Sequence, residues 1–67
     1  MNIRKLKAKM AERGETTTHL ATVLGITVGA ANRKVNGHTE FKLSDILAVK
    51  DWLNLTYDEL IEIFFRD

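Results

Sequence analysis

The sequence predicts an all-α fold: a compact bundle of five short helices that includes a helix-turn-helix unit. The 67 residues contain no proline and only four glycines, a composition that suits helices joined by tight turns. Apolar residues recur three and four positions apart along most of the chain, the spacing of helices that bury one face. Two such patterns meet at Gly25, where glycine permits a sharp turn because it takes positive φ at little cost. We place a single domain over residues 1–67.

The composition excludes several classes of protein. A hydrophobic content of 45% supports a packed core rather than a disordered chain. The absence of cysteine excludes disulfides and thiolate metal sites. No apolar run approaches the ~18 residues of a transmembrane helix, and nothing resembles a signal peptide. We therefore expect a cytoplasmic protein that has no membrane partner.

The charged residues are distributed unevenly along the chain. Residues 1–42 carry eight lysines and arginines against three glutamates, whereas residues 43–67 carry two basic residues against six acidic ones. This asymmetry suggests one side that faces a polyanion and another that is turned away from it. Ordinary solvated helix faces would produce the same pattern, so charge alone does not decide between the two interpretations.

Helix 1 is predicted over residues 2–13. Its apolar residues recur at helical spacing, and the alanines between them favour a helix. The apolar stripe consists of Ile3, Leu6 and Met10. Three lysines lie off this stripe, in solvent or near a phosphate backbone: Lys5, Lys7 and Lys9.

Helix 2 begins after an N-cap at Thr16 and extends to about Leu24. Thr17 and Thr18 occupy its first turn, where free backbone N–H groups and the positive end of the helix dipole can bind a phosphate. His19 is predicted to be exposed, as an ordinary surface residue rather than a metal ligand.

Helix 3 is predicted over residues 28–36, with Thr27 as its N-cap. On a helical wheel Ala31 and Val35 line one side, Val28 lies partly inward, and the opposite side is small or polar. That opposite side consists of Gly29, Asn32, Arg33 and Asn36. Arginine donates two hydrogen bonds to guanine and asparagine pairs with adenine, so this face has the composition of a base-reading surface. A polar face turned to solvent would have the same composition.

Gly37 closes helix 3 and lies in a turn over residues 36–39. An Asn-Gly pair also occurs in β-hairpins, but both flanking segments have helical periodicity. We therefore prefer a helix C-cap followed by a loop. His38 and Lys42 lie in this loop, where both can reach a phosphate.

Helices 4 and 5 complete the bundle. Helix 4 is predicted over residues 43–53 as a buried helix with one solvent-exposed edge. The residues that indicate this are Leu43, Ile46, Leu47, Val49, Lys50 and Leu53. Phe41 is predicted to fill the core beside it, and Trp52 to be partly buried.

Helix 5 follows a capping box formed by Thr56 and Glu59 and ends at about Phe65. Its apolar stripe consists of Tyr57, Leu60, Ile61 and Phe64. Ile63 and Phe65 widen that stripe to about 200°, more than a surface helix needs. The surplus is either the seam of a homodimer or edge packing at the end of the chain.

Four segments carry a resemblance to a known family. The strongest is T-x-x-x-L-A-x-x-L-G-I-T over residues 16–27. R-K-V-N-G follows at 33–37, F-K-L-S-D-I at 41–46 and L-N-L-T-Y-D-E-L at 53–60. Together they make the chain similar to the phage repressor and Cro-like helix-turn-helix family of DNA-binding proteins (XRE type), especially its small phage-encoded members.

The resemblance implies a lambda-repressor-like fold with helix 3 in the major groove and helix 2 across the DNA backbone. The family's base-contacting positions fall on Val28, Gly29, Asn32 and Arg33. Its phosphate-contacting positions fall on Thr17, Asn36 and the loop that follows. With the helix ends, the candidate phosphate-contacting residues are Thr17, Thr18, Thr27, Asn36, His38 and Lys42.

The chain departs from the family pattern at two places. Many members have polar residues where this chain has apolar or small residues at 28–30, so direct readout rests on Asn32 and Arg33, with shape readout making up the difference. Lys42 occupies a position where a capping serine or threonine is common, so we expect the start of helix 4 to fray or shift.

We therefore expect a sequence-specific, double-stranded DNA-binding transcriptional regulator that binds a pseudo-palindromic operator as a homodimer. The dimer would form through helix 5 (Ile63 and Phe65) or only on DNA. The alternative is a protein-interaction module, antirepressor-like or an adaptor, that uses the same fold without DNA. No sequence feature indicates an enzyme, a metal, a cofactor or a small-molecule ligand. The expected location is the nucleoid of a bacterial host cell.

Overall fold

Five helices and the turns between them make up the computed structural model, which describes residues 1–66. In chain order the helices are α1 (Ile3–Glu12), α2 (Thr17–Leu24), α3 (Val28–Val35), α4 (Leu43–Leu53) and α5 (Tyr57–Phe64). The described residues contain no strand, and the chain extends over 28 × 23 × 20 Å. The all-α prediction is confirmed, and each helix begins and ends within about two residues of its predicted limits.

Four of the five helices begin at a side-chain cap. In each case the cap's side-chain oxygen accepts a hydrogen bond from the backbone N–H three residues later, at 3.1–3.2 Å. These caps are Asn2, Thr16, Thr27 and Thr56. In α5 the carboxylate of Glu59 also accepts from the Thr56 N–H at 2.9 Å, which completes the predicted capping box.

The start of α4 is held in a different way. Lys42 is the N-cap residue, and its side chain has no acceptor for the helix N–H groups. The carboxylate of Asp45 instead accepts a hydrogen bond from the Lys42 N–H at 3.0 Å. The helix begins at Leu43, as predicted, so the shift expected from the missing serine or threonine does not occur.

The turn of the helix-turn-helix depends on Gly25. Its φ of +67° lies in the left-handed region, which glycine adopts without the strain of a Cβ. The next N–H, that of Ile26, donates to the Ala21 carbonyl at 3.0 Å, so the end of α2 is a Schellman motif. Ala21 and Ala31 are both buried, and their small side chains suit the packing of α2 against α3.

Each of the five helices contributes to one core. Its buried residues are Leu6, Met10, Leu20, Ala21, Ala31, Val35, Val49, Leu53, Leu55 and Ile63, with Leu24, Ile26, Phe41, Trp52 and Phe64 packed against them. The predicted roles of Phe41 and Trp52 are thus confirmed. The N-terminus is joined to the far end of the chain, because the Asn2 N–H donates to the Ile63 carbonyl at 2.6 Å.

Several predictions of burial are wrong. Leu43 and Leu47 are 68% and 51% exposed, because α4 packs through the row of residues that includes Ile46, and no helix of residues 1–66 covers the adjacent row. Tyr57 is 73% exposed for the same reason on α5.

Ile63 is also placed differently from the prediction of a dimer seam. It is only 3% exposed and belongs to the core, so it is not available to a partner in this fold. Phe65, at 61% exposure, remains on the surface.

Candidate nucleic-acid interface

The outer face of α3 presents two exposed polar side chains. Asn32 and Arg33 are exposed, and within residues 1–66 no hydrogen bond or ion pair engages either side chain. The opposite face is fixed, because Ala31 and Val35 are buried at 0% and 3% exposure. The helix therefore presents an arginine and an asparagine outward from a rigid base.

The first turn of α3 presents little side-chain bulk. Gly29 is exposed, and a Cβ added to it would meet only the Thr27 hydroxyl, at 4.0 Å. A partner could therefore approach the backbone closely at this position. Val28 is 43% exposed, so its side chain lies outward rather than partly inward as the helical wheel indicates. The wheel treats Val28 as part of a regular helix, but it is the first helical residue and no earlier turn of α3 lies beside it.

The start of α2 offers backbone donors. Thr17 and Thr18 are its first two helical residues, and the N–H groups of a first turn have no preceding helical carbonyl to bind. Thr18 is exposed and Thr17 is half-buried. Thr27, the N-cap of α3, is exposed too, and its hydroxyl oxygen accepts from the Ala30 N–H while the hydroxyl hydrogen remains available to donate.

Helix α1 contributes a lysine to the end of α3. The ammonium group of Lys7 donates to the side-chain oxygen of Asn36 at 2.9 Å. Lys7 and Thr17 also line one open groove of about 210 Å³ that has Val35 at its base. The structure thus brings together α1, the start of α2 and the end of α3. The sequence pattern gave no sign that Lys7, rather than another lysine of helix 1, would contact Asn36.

Lys34 anchors the loop that follows α3. Its ammonium group donates to the Glu40 carbonyl at 2.9 Å and forms an ion pair with Asp45 at 3.1 Å. Burial raises the pKa of Asp45, but hydrogen bonds from the Lys42 N–H and from Lys34 outweigh that effect and leave the pKa below its ordinary value. The anchored loop leaves the side chains of His38 and Lys42 exposed.

Two of the basic residues of helix 1 are paired with acids of α5. Lys5 forms an ion pair with Glu62, and Lys9 forms one with Glu59 and another with Glu12. The side chain of Lys9 is only 15% exposed. The expectation that the lysines of helix 1 lie in solvent or near phosphate is therefore wrong for Lys9, whereas Lys5 is exposed to solvent although it is paired. The row of α1 that Lys5 and Lys9 share lies against the acidic end of the chain.

His19 is exposed, as predicted, and is held by two neighbours. Its Nδ1 lies 2.6 Å from a carboxylate oxygen of Glu15. Its ring packs edge-on against the Trp52 ring, with 5.7 Å between the two ring centroids. Within residues 1–66 no group of three or more histidine, aspartate or glutamate side chains is arranged to hold a metal ion. Over the same residues every helix is too short or too polar to cross a lipid bilayer.

Comparison with protein families gives a match. The family model described as the BetR domain aligns with residues 1–64, which is nearly the whole chain. Neither the curated proteins nor the solved structures that were compared with the chain gave a match. The match covers all five helices, including α2 and α3 and the turn between them.

Proposed function

Because the chain belongs to the BetR domain family, whose domain is helix-turn-helix-like and indicates a DNA-binding regulator in general, we propose that it binds double-stranded DNA sequence-specifically. In this proposal it is a Cro/repressor-type transcription regulator that places α3 in the major groove. The observation that carries the proposal is the outer face of α3, where Asn32 and Arg33 are exposed and no side chain of the described residues engages them.

Base reading in this proposal rests on four residues. Arg33 donates two hydrogen bonds to a guanine, and Asn32 pairs with an adenine. Gly29 allows the backbone to approach the base edges, and Val28 contacts a thymine methyl group. Because the first turn of α3 has no polar side chain, sequence-dependent DNA shape supplies part of the discrimination.

Phosphate contacts position the domain on the duplex. The N–H groups of Thr17 and Thr18 and the hydroxyl of Thr27 donate to the backbone beside the groove. His38 and Lys42 contact it from the loop.

Asn36 fits the same role because of Lys7. A lysine ammonium can only donate, so the Asn36 oxygen faces Lys7 and its NH₂ group faces away. Two outward N–H donors suit a phosphate, which only accepts hydrogen bonds. Reading an adenine would require the amide oxygen as well. We therefore assign Asn36 to the phosphate backbone, with the charge of Lys7 adding to the attraction.

Regulation would follow from occupancy alone. Two copies bind a pseudo-palindrome whose half-sites lie about 34 Å apart, one helical turn, and thereby block or assist a polymerase. The mechanism uses no catalysis, metal, cofactor or small-molecule ligand. Its place of action is the nucleoid of a bacterial host cell.

The test is selection from a random duplex library with the purified protein at physiological salt. The proposal expects enrichment of one motif with approximate two-fold symmetry, and specific binding at least about 10³-fold tighter than binding to unselected duplex. A matched selection with an Asn32→Ala, Arg33→Ala double variant should enrich no motif. Weak binding of the unmodified protein to all sequences alike, without enrichment, would contradict the proposal.

A second candidate function has specific support. Val28 and several residues of α4 and α5 are exposed and apolar, which suits a protein-interaction module, antirepressor-like or an adaptor, that does not bind DNA. This candidate predicts the negative result of the library selection. It also predicts that Asn32→Ala and Arg33→Ala leave binding to the protein partner unchanged.

A further inference from the structure

The two neighbouring basic residues of α3 have different surroundings. Arg33 is exposed, and within residues 1–66 no hydrogen bond or ion pair engages its side chain. Lys34 follows it by one residue, about 100° around the helix axis, and its side chain is only 13% exposed. The charge of Lys34 is therefore directed into the protein rather than toward a partner.

The ammonium group of Lys34 contacts the second half of the loop between α3 and α4. It donates to the Glu40 carbonyl at 2.9 Å and lies 5.8 Å from the centre of the Phe41 ring. It also lies 3.1 Å from the Oδ2 atom of Asp45, and the same oxygen accepts the Lys42 N–H at 3.0 Å. One lysine and one aspartate thus hold the backbone on both sides of Phe41.

The first half of the loop is attached to the same turn of α3. The Arg33 carbonyl accepts hydrogen bonds from the His38 N–H at 2.8 Å and from the Thr39 N–H at 3.3 Å. The loop therefore has contacts with Arg33 at its beginning and with Lys34 near its end. Together these contacts set where the side chains of His38 and Lys42 lie relative to α3.

We propose that Lys34 and Asp45 are positioning residues for DNA binding, which hold Lys42 at a fixed place relative to Arg33 so that phosphate and base contacts form together. This assignment rests on the proposed DNA binding, and it gives neither Lys34 nor Asp45 a contact with DNA. A loop that is ordered before binding loses less conformational entropy on binding. The pair contributes to affinity in this way.

The effect of removing Asp45 distinguishes positioning from simple electrostatics. Asp45 is an acid close to a loop that carries proposed phosphate contacts. DNA is a polyanion, so the loss of a nearby negative charge strengthens binding if charge alone acts. Binding weakens instead if Asp45 holds the loop in place. The two roles thus predict changes of opposite sign.

The experiment compares the unmodified protein with Asp45→Asn and Lys34→Met. Asparagine keeps an oxygen that can accept the Lys42 N–H, so the start of α4 is preserved while the ion pair is lost. Glu40→Gln is the matched control, because it removes one negative charge from the same loop but keeps the backbone carbonyl that Lys34 contacts. Circular dichroism and thermal unfolding establish a temperature at which all the proteins are folded.

Loop order is measured first, without DNA, as NMR order parameters of the backbone N–H groups of residues 38–42. Rigid backbone gives values of about 0.85, and flexible backbone gives values below about 0.6. We expect rigid values in the unmodified protein and in Glu40→Gln. In Asp45→Asn and Lys34→Met we expect the values for residues 40–42 to fall toward the flexible range.

Binding is then measured by competition titration on a duplex selected from the random library, at constant salt. We expect Asp45→Asn and Lys34→Met each to weaken binding about three- to tenfold, the range of coupling between neighbouring residues. Glu40→Gln should bind as tightly as the unmodified protein or more tightly. In a Lys42→Met background Asp45→Asn should lose most of its effect, because the side chain that it positions is absent.

The outcomes separate this inference from the proposed function. Weaker binding and a less ordered loop in both variants, with neither change in Glu40→Gln, would support both. If the unmodified protein binds the duplex but Asp45→Asn binds as tightly or more tightly, the positioning role is overturned and the proposed function stands. Unchanged loop order in both variants would also overturn the role, as would fully additive effects of Asp45→Asn and Lys42→Met. If the unmodified protein binds no duplex, the proposed function and the positioning role both fail, even where the pair orders the loop.

Discussion

At the scale of single residues, chemically identical side chains have different roles because of their angular position on a helix. Lys5 and Lys9 lie four residues apart on α1 and both meet glutamates of α5. Lys7 lies about 200° around the helix from either of them and meets Asn36 on α3. Of these three lysines, Lys7 is the one placed to add its charge to the proposed DNA-binding surface.

Replacing Arg33 by alanine tests base readout. We expect Arg33→Ala to weaken binding to the selected duplex by ~1–3 kcal/mol and to random duplex by much less, because a two-donor contact to guanine is lost. Arg13→Ala removes the same charge from the C-terminal end of α1 and should change neither affinity much. Competition titrations measure both values. An equal loss on selected and random duplexes would contradict a role in specificity.

Replacing Lys7 by methionine tests the phosphate contact. We expect Lys7→Met to weaken binding to selected and random duplexes alike, and to lower the slope of log affinity against log salt by about 1, because one fewer phosphate is neutralised. Lys5→Met removes a lysine that is already paired with Glu62, so its slope should stay unchanged. The contact would be rejected if the two variants gave the same slope.

At the scale of elements, the turns determine how the helices meet. Gly25 and Gly37 end α2 and α3 with similar positive φ values of +67° and +80°. Their surroundings differ, because a Cβ at Gly25 would meet nothing within 4 Å, whereas one at Gly37 would lie 2.8 Å from the Cδ1 of Ile3. The turn at Gly37 therefore does two things: it sets the direction of the chain, and it leaves room for Ile3 of α1 to pack closely against it.

This difference is measurable as the free energy of unfolding. We expect Gly25→Ala to cost ~1–2 kcal/mol from left-handed backbone strain alone. Gly37→Ala should cost the same plus ~0.5–1.5 kcal/mol, because Ile3 is forced from its preferred rotamer. Chemical denaturation gives both values.

Ile3→Val provides the control for Gly37→Ala, because valine lacks the Cδ1 atom that would clash. In the Ile3→Val background the extra cost of Gly37→Ala should disappear. If it persists, contact with Ile3 is not its cause.

At the scale of the whole molecule, the basic and acidic ends of the chain are joined to each other rather than separated. The Asn2 N–H binds the Ile63 carbonyl, and the ion pairs of Lys5 and Lys9 connect α1 to α5. Hydrogen bonds from Lys9 and from the Thr56 N–H lower the pKa of Glu59 to about 2. The hydrogen bond to Glu59 also raises the pKa of Lys9 above its ordinary value.

These shifts predict how stability depends on pH. A carboxylate whose pKa is lowered by folding stabilises the native state above its unfolded pKa of about 4.3 and loses that contribution as the pH falls toward 2. The raised pKa of Lys9 gives a contribution that is present below about 10.4 and is lost as the pH rises past that value. We expect the Lys9–Glu59 pair to stabilise the fold between these limits.

Glu59→Gln should flatten the acid side of a plot of unfolding free energy against pH, while keeping an acceptor for the Thr56 N–H. Asp51→Asn, which removes an exposed carboxylate of α4 that has no ion pair in residues 1–66, should leave the acid side as it is. Denaturant titrations from pH 2 to pH 7 compare them. An unchanged profile in Glu59→Gln would show that the ion pair does not stabilise the fold.

The sequence by itself determined the five helices, their limits and the turn of the helix-turn-helix. Caps such as Thr16 and Thr56, and glycines such as Gly25, act through hydrogen bonds and backbone angles within one turn, so the information is local. The polar outer face of α3 followed from the spacing of Asn32 and Arg33 relative to Ala31.

Only the tertiary structure decided which side chains of different helices contact each other. The pairing of Lys7 with Asn36, the burial of Ile63 and the exposure of Leu43 depend on which row of one helix meets which row of another. Helical periodicity marks a residue as apolar or polar, but it does not identify the neighbour. The identity of the neighbour is set by the packing of distant segments, and the candidate nucleic-acid interface depends on it.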